Sequence, residues 1–304
     1  MKKLHGITIA MVTPMDEEEQ VNYAALRQLT DFLIDREVDC LYPCGTTGEM
    51  FHLAENERRQ IAETVVEQAN GRATVFIHVG AMDKAETIRL AQHARSIGAD
   101  GVGIVTPAFF PANSAELEEY FITIARALPD DFPIYLYNIP QLAVNDLTVS
   151  LVKHIADACP NVIGIKYSFS DMFRAQEYLQ IRENFSVLLG ADRLLIAMLA
   201  MGCDGTVTGA GCVYPEPFVA ILKAYREGNL PYARKLQWVT NKLVEITRCG
   251  SNMAYFKAAL DRRGIECGKM RAPQLPLSNA EKAEYFRELE EVEALLPEGM
   301  LKKL

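Results

Sequence analysis

The chain has 304 residues, 49% of them hydrophobic, which is enough for one large core or for a barrel with an extension. Its formal charge of −9 argues against a general nucleic-acid binder, because such proteins neutralise phosphates with clustered Lys and Arg. No run of about 18 apolar residues appears, and Met1-Lys2-Lys3-Leu4-His5-Gly6 leads straight into a strand-like segment, so the expectation is a soluble, cytoplasmic protein without a membrane partner.

In chain order, short β-branched runs alternate with longer stretches of helical period, the pattern of repeated βα units on a parallel sheet. Eight runs read as strands, at 6–13, 40–43, 74–79, 101–106, 134–138, 162–166, 186–189 and 205–208. Each is short and mostly apolar on both faces, as buried parallel strands are. The first helix, 23–37, sets Leu26, Leu29, Leu33 and Ile34 on one stripe behind a capping Asn22. The third, 85–97, does the same with Ile88, Ala91 and Ala94 and stops before Gly98, where a left-handed residue is favoured. Ser114 is expected to cap the fourth helix and Asp171 the sixth.

An eighth helix at 215–226 completes the repeat. The predicted fold class is α/β, a (β/α)8 TIM barrel over 1–226 followed by a C-terminal helical extension over 227–304. Helices at 232–247, 252–262 and 279–295 make up that extension, and Tyr255, Phe256, Leu260, Phe286 and Leu289 give it apolar stripes to pack on the barrel or on another subunit. A doubly wound sheet fits less well, given eight units and no Gly-x-Gly-x-x-Gly after the first strand.

The seven cysteines are odd in number and scattered, and Cys40, Cys159, Cys203 and Cys212 sit in apolar segments, which fits reduced thiols. Cys40 and Cys44 lack the further ligands of a zinc site, and no P-loop, His-Glu-x-x-His or dinucleotide fingerprint is present, so neither metal nor nucleotide cofactor is expected.

In such barrels the active site lies where the strands end. Of the eight, only 162–166 ends in a lysine, in Val162-Ile163-Gly164-Ile165-Lys166-Tyr167-Ser168. A lysine among apolar neighbours in a barrel mouth can have a lowered pKa and attack a ketone to form an imine; alternatively it snorkels or pairs with a loop carboxylate. After the second strand, Gly45-Thr46-Thr47-Gly48-Glu49 offers two glycines and two adjacent hydroxyls that can bind a carboxylate, or a tight turn in which Thr46 or Thr47 caps a helix. On the fifth strand, Tyr135 and Tyr137 share one face, with Tyr137 nearer the active end, either as a proton relay or as a core tyrosine with a satisfied hydroxyl.

Gly45-Thr46-Thr47-Gly48-Glu49, Tyr137-Asn138-Ile139-Pro140 and Gly164-Ile165-Lys166, at these separations, closely resemble the dihydrodipicolinate synthase and N-acetylneuraminate lyase family of Schiff-base aldolases, over nearly the whole chain. The resemblance implies Lys166 as the Schiff-base lysine, Tyr137 as general acid and base, and Thr46 with Thr47 as holders of the pyruvate carboxylate beside Gly45. It places the backbone of Val207 near the keto acid, and it implies a homotetramer with pyruvate as substrate and no separate cofactor.

Two departures count against the member that condenses pyruvate with aspartate semialdehyde. The usual arginine after Tyr-Asn-x-Pro is missing from Gln141-Leu142-Ala143-Val144-Asn145, and the usual tyrosine after the fourth-strand Thr-Pro is replaced in Ala108-Phe109-Phe110. His78-Val79-Gly80 and Tyr137-Asn138-Ile139-Pro140 look like the sialic-acid lyases, with Ser168 standing where those carry Thr. In Gly190-Ala191-Asp192-Arg193, Asp192 remains as a polyol acceptor, while Arg193 suggests either a second negative charge on the substrate or a surface arginine on a capped helix. Asp204-Gly205-Thr206-Val207-Thr208-Gly209-Ala210-Gly211 also resembles cleavers of 2-keto-3-deoxy sugar acids. A catabolic lyase or a related dehydratase is therefore expected, the reaction being retro-aldol cleavage of such an acid, N-acetylneuraminate or 2-keto-3-deoxygluconate among them, with the synthase as first alternative and a non-catalytic keto-acid binder as second. Gly209 and Gly211 before the eighth helix also allow a phosphate-binding turn, although a flexible βα turn explains them.

Overall fold

The computed structural model describes residues 1–302. Strands β1 (Gly6–Ala10), β2 (Cys40–Tyr42), β3 (Thr74–His78), β4 (Gly101–Val105), β5 (Ile134–Asn138), β6 (Val162–Tyr167), β7 (Ser186–Leu189) and β8 (Gly205–Thr208) close in sequence order into a barrel. Every pairing is parallel, and β8 returns to β1 with Thr8 opposite Val207. β1 stops at Ala10 rather than Thr13; beyond the strand the Thr13 hydroxyl donates to Gly48 O at 2.8 Å.

Period two divides the strand residues between two clusters. Ile7, Ile9, Leu41, Ile77, Leu136, Ile165 and Val187 join the large core shared with the helices, whereas Ala10, Cys40, Tyr42, Phe76, Tyr135, Leu188 and Val207 form a separate cluster filling the barrel. The large interior rings require small neighbours. A Cβ on Gly103 would lie 1.8 Å from the Tyr42 hydroxyl oxygen, and one on Gly164 2.5 Å from the Tyr135 ring, so glycines on β4 and β6 make room for a tyrosine floor under the mouth.

The helices are α1 (Tyr23–Ile34), α2 (Glu55–Ala69), α3 (Lys84–Ser96), α4 (Ser114–Arg126), the single turn α5 (Pro140–Ala143), α6 (Val149–Ala158), α7 (Met172–Leu179), α8 (Leu195–Ala200), α9 (Pro215–Arg226), α10 (Leu230–Ile246), α11 (Met253–Arg262) and α12 (Asn279–Glu293). Asn22 caps α1 by accepting from Ala25 N–H at 3.0 Å, and Asp171 caps α7 through Arg174 N–H at 3.0 Å. The helix α1 ends three residues before Glu37, which sits at φ 61° in the turn that follows. Ser114 is not the cap of α4. Asn113 accepts from Glu116 N–H at 3.1 Å while Glu116 accepts from Asn113 N–H at 2.7 Å, a reciprocal pair that Ser114 at the first helical position could not make.

The C-terminal helices pack on the barrel flank, burying Phe256, Leu260 and Leu289 and half-burying Tyr255 and Phe286. Buried charge ties them down: Glu216 on α9 accepts from Arg36 Nε at 2.8 Å and from Arg263 Nη1 at 3.0 Å. No helix among the described residues is long and apolar enough to cross a membrane.

Candidate active site

The β5–β6 register puts Tyr137 directly opposite Lys166 at the C-terminal rim of the barrel. Lys166 is only 4% exposed, with Nζ 3.9 Å from the Tyr137 ring centroid and 4.9 Å from that of Tyr42 on β2. Among the described residues no carboxylate lies within 4.0 Å of that amine, and the side chain does not reach the surface, so neither snorkelling nor a loop ion pair describes it. It opens instead into a cavity of about 490 Å³, the size of a small-molecule site.

The Tyr137 hydroxyl meets Thr46 Oγ1 at 3.2 Å. Thr46 is held by a tight turn in which Gly48 N–H donates to Gly45 O at 3.0 Å and Glu49 N–H to Thr46 O at 3.1 Å. Neither threonine caps a helix. α2 begins only at Glu55, where Glu57 accepts from Ala54 N–H at 2.8 Å, leaving the Thr46 and Thr47 side chains to the cavity wall.

Two non-glycine residues at positive φ bracket this loop, Cys44 at 60° and Glu49 at 59°, a conformation that persists only when neighbours enforce it. The neighbours are identifiable. His78 Nδ1 is 2.9 Å from Cys44 O, and Val105 N–H donates to His78 Nε2 at 3.3 Å, so Nδ1 carries the single proton. Burial, and then the charges of Arg58 and Lys166, hold the imidazole well below its ordinary range and keep it neutral beneath the Tyr137 ring. At the other end Lys257 Nζ of α11 pairs with Glu49 Oε1 at 2.8 Å, both side chains being almost wholly buried.

The opposite wall comes from Ser168 just beyond β6, from the β7 and β8 ends and from the C-terminal helices. Gly190 leaves space for Ser168, since a Cβ there would lie 2.1 Å from the Ser168 oxygen; Gln141 of α5 donates to Ser168 O at 2.7 Å. Asp192 accepts from Ala210 N–H at 3.3 Å, and burial pushes its carboxyl up to about 6 against the opposing pull of Thr208, that N–H and Lys166. Val207 and Ala10 line the base, Phe256 and Ser251 the side. Gly45 sits in the loop beneath Thr46 but does not itself line the cavity.

The structure thus gathers Lys166, Tyr137, Thr46, Thr47, Ser168, Gly190, Asp192 and Val207 around one cavity. Tyr42, Gln141, Phe256 and Lys257 are further residues at or behind the site that no motif singles out, Phe256 being legible only as part of an apolar stripe. Lys257 left a trace, a lone charge in Met253-Ala254-Tyr255-Phe256-Lys257-Ala258-Ala259-Leu260, a segment too apolar to hide an unpaired ammonium. Among the described residues no cluster of three or more His, Cys, Asp or Glu is placed to hold a metal ion.

Residues 3–292 match the dihydrodipicolinate synthetase family. The chain belongs to that family. It is similar to the 4-hydroxy-tetrahydrodipicolinate synthase of Chlorobium luteolum, with 33% identity over 95% of this chain and 97% of the relative. It is about as close to the N-acetylneuraminate lyase of Gallus gallus, at 32% identity over 98% of each. A solved variant of the 2-keto-3-deoxygluconate aldolase of Sulfolobus solfataricus superposes with a TM-score of 0.91 at 25% identity, covering 98% of this chain and all of that one. As a dihydrodipicolinate synthetase family member the protein is an enzyme, a pyruvate-dependent aldolase or lyase on a (β/α)8 barrel.

Proposed function

We propose that Lys166 forms an imine with C2 of a 2-keto-3-deoxy sugar acid, such as N-acetylneuraminate or 2-keto-3-deoxygluconate, and that the enzyme cleaves it to pyruvate and an aldehyde. The observation carrying this reading is a buried amine that has no ion-pair partner among the described residues, opposite a tyrosine whose hydroxyl is hydrogen-bonded to a threonine. The amine attacks C2 and water leaves, giving an iminium that draws electrons from the C3–C4 bond. Tyr137 takes the proton of the C4 hydroxyl as that bond breaks, with Thr46 orienting the phenol, and the aldehyde departs. The remaining enamine is protonated at C3, and hydrolysis returns pyruvate and the free amine.

Thr46 and Thr47 hold the substrate carboxylate together with amides of the Gly45 loop. Gly209 keeps that side open, since a Cβ there would crowd Thr47 Oγ1 at 3.3 Å. Ser168 and Asp192 take hydroxyls of the sugar tail, and Val207 packs against the keto acid. Lys166 supplies the electrophilic activation, so no cofactor is required and turnover should survive dialysis against EDTA.

The test is intact-mass analysis after pyruvate and sodium borohydride. A pyruvate-sized adduct in wild type but not in Lys166→Ala is expected; none in either would favour a non-catalytic binder. The synthase reading keeps its own support in relatives named 4-hydroxy-tetrahydrodipicolinate synthase, at 33% and 35% identity among others, and a screen of sialic acid, keto-deoxy sugar acids and aspartate semialdehyde separates it.

The barrel of residues 1–226 and the helices of 227–304 are proposed to work as one unit, since Phe256 and Lys257 reach the site from the latter. A homotetramer is proposed as the working form; Phe109 and Phe110, 74% and 71% exposed, are apolar surface that assembly would cover. Sedimentation velocity tests it.

A further inference from the structure

The cavity carries three charged side chains. Two are accounted for: Lys166 by the keto group, and Asp192 by its bonds to the β8 end. Arg193 is the third. Its backbone is fixed from α10, where Gln237 donates to Asp192 O at 3.2 Å and accepts from Ile196 N–H at 3.2 Å, spanning the turn that bears it. Its guanidinium is hardly engaged. One N–H meets Cys249 Sγ at 3.4 Å, a weak acceptor, and Glu245 lies 4.0 Å away on a side chain that is 72% exposed. Arg271 differs sharply, with Glu57, Glu19 O and His52 O all within hydrogen-bond distance. Ser170 and Ser251 line the same cavity, and among the described residues their hydroxyls have no protein partner.

Resting on the Schiff-base reading above, we propose that Arg193 and the Ser251 hydroxyl form a carboxylate subsite, so that the aldehyde half of the substrate is a hydroxylated aldehyde acid and the full substrate a 2-keto-3-deoxy sugar diacid. A guanidinium fork fits one carboxylate through two parallel N–H bonds. A phosphate dianion would call for a second cation, and among the described residues the other one lining the cavity is Lys166, committed to the keto group. In the synthetic direction C3 of pyruvate bonds to the aldehyde carbon, one C3 proton is released and one is gained by the new C4 hydroxyl, and no other atom is lost.

Three aldehydes differing at one end test the subsite in aldol addition to pyruvate: glyceraldehyde, tartronate semialdehyde, which ends in a carboxylate, and glyceraldehyde 3-phosphate. Wild type is expected to prefer tartronate semialdehyde over glyceraldehyde by tenfold or more in kcat/KM, the scale of one charge-assisted hydrogen bond. In Arg193→Ala that preference should fall to near unity, chiefly through KM, and Arg193→Lys should restore part of it. Borohydride trapping of pyruvate accompanies each enzyme. An adduct together with a carboxylate preference that is missing, or unmoved by Arg193→Ala, overturns the subsite while the Schiff-base reading stands. A preference for the phosphate that Arg193→Ala abolishes overturns the choice of carboxylate. No adduct in wild type overturns the function itself, and the subsite with it.

Discussion

The two walls of the cavity are built differently. The β2–β5–β6 wall is made of buried groups fixed from several sides: Tyr137 by Thr46, Cys44 by His78, and Glu49 by Lys257. The opposite wall, from the β7 loop and the turn between α10 and α11, is half-exposed, and among the described residues Arg193 there meets Cys249 Sγ and lies 4.0 Å from Glu245. Chemistry needs reacting groups held closely, and strand ends in a closed barrel provide that. Substrate choice needs only a few exchangeable contacts, and loops provide those without disturbing the core. One family can therefore include proteins named as a synthase and as a sugar-acid lyase.

If the closely held wall performs the chemistry, the largest effects must come from it. Lys166→Ala should lower turnover by about four orders of magnitude or more while far-UV circular dichroism and the unfolding midpoint stay near wild type, because among the described residues the amine forms no ion pair whose loss would unbalance the fold. Tyr137→Phe should cost about 10²- to 10⁴-fold in kcat, the range of a lost general acid and base, with the pyruvate adduct still trapped by borohydride. Loss of the adduct in that variant would move Tyr137 from proton transfer to imine formation.

A smaller effect, on stability, probes how the loop is fixed. Removing one partner of the buried Glu49–Lys257 pair strands the other charge, so Lys257→Met should destabilise by about 3–5 kcal/mol in urea unfolding. Combining it with Glu49→Leu should recover part of that loss, and the recovery measures the coupling. The double variant should nonetheless be a poor enzyme, since Glu49 at φ 59° ends the turn that presents Thr46 and Thr47. Full activity in the double variant would show that the turn holds itself.

The same contrast decides what could be read beforehand. All eight strands are legible because buried parallel strands leave short apolar runs, and Lys166 and Tyr137 because polar residues ending such runs are conspicuous. Asn113 and Ser114 are both good caps, and only the three-residue spacing to Glu116 selects Asn113. Tyr42 lies on a strand whose neighbours are also apolar, so its place under Lys166 depends on barrel register, which no local pattern carries. Lys257 lies roughly two hundred residues beyond Glu49, with which it pairs, and Phe256 equally far along the chain from the strand ends whose cavity it lines; helical periodicity shows that a stripe is buried without showing against what.

Asp192, on the looser wall, sharpens the comparison by pH. Its carboxyl rises from 3.8 in the unfolded chain to about 6 in the fold, chiefly through burial. Below about 4 it is protonated in both states, and above about 6 it is ionised in both. Between those limits the folded protein holds the proton that the unfolded chain has released. A stabilising contribution present at low pH is therefore lost as pH rises through 6, worth about 1–3 kcal/mol at this shift and partial exposure. Asp192→Asn, whose amide oxygen can still accept from Ala210 N–H, should be more stable than wild type at pH 7 and nearly equal to it at pH 4 in urea unfolding. The same variant should bind polyhydroxylated substrates more weakly at pH 7, because a carboxylate accepts hydroxyls better than an amide. If the loosely held wall keeps a destabilising carboxylate for its ligand, KM must rise in Asp192→Asn, and an enzyme with unchanged KM would remove that reason.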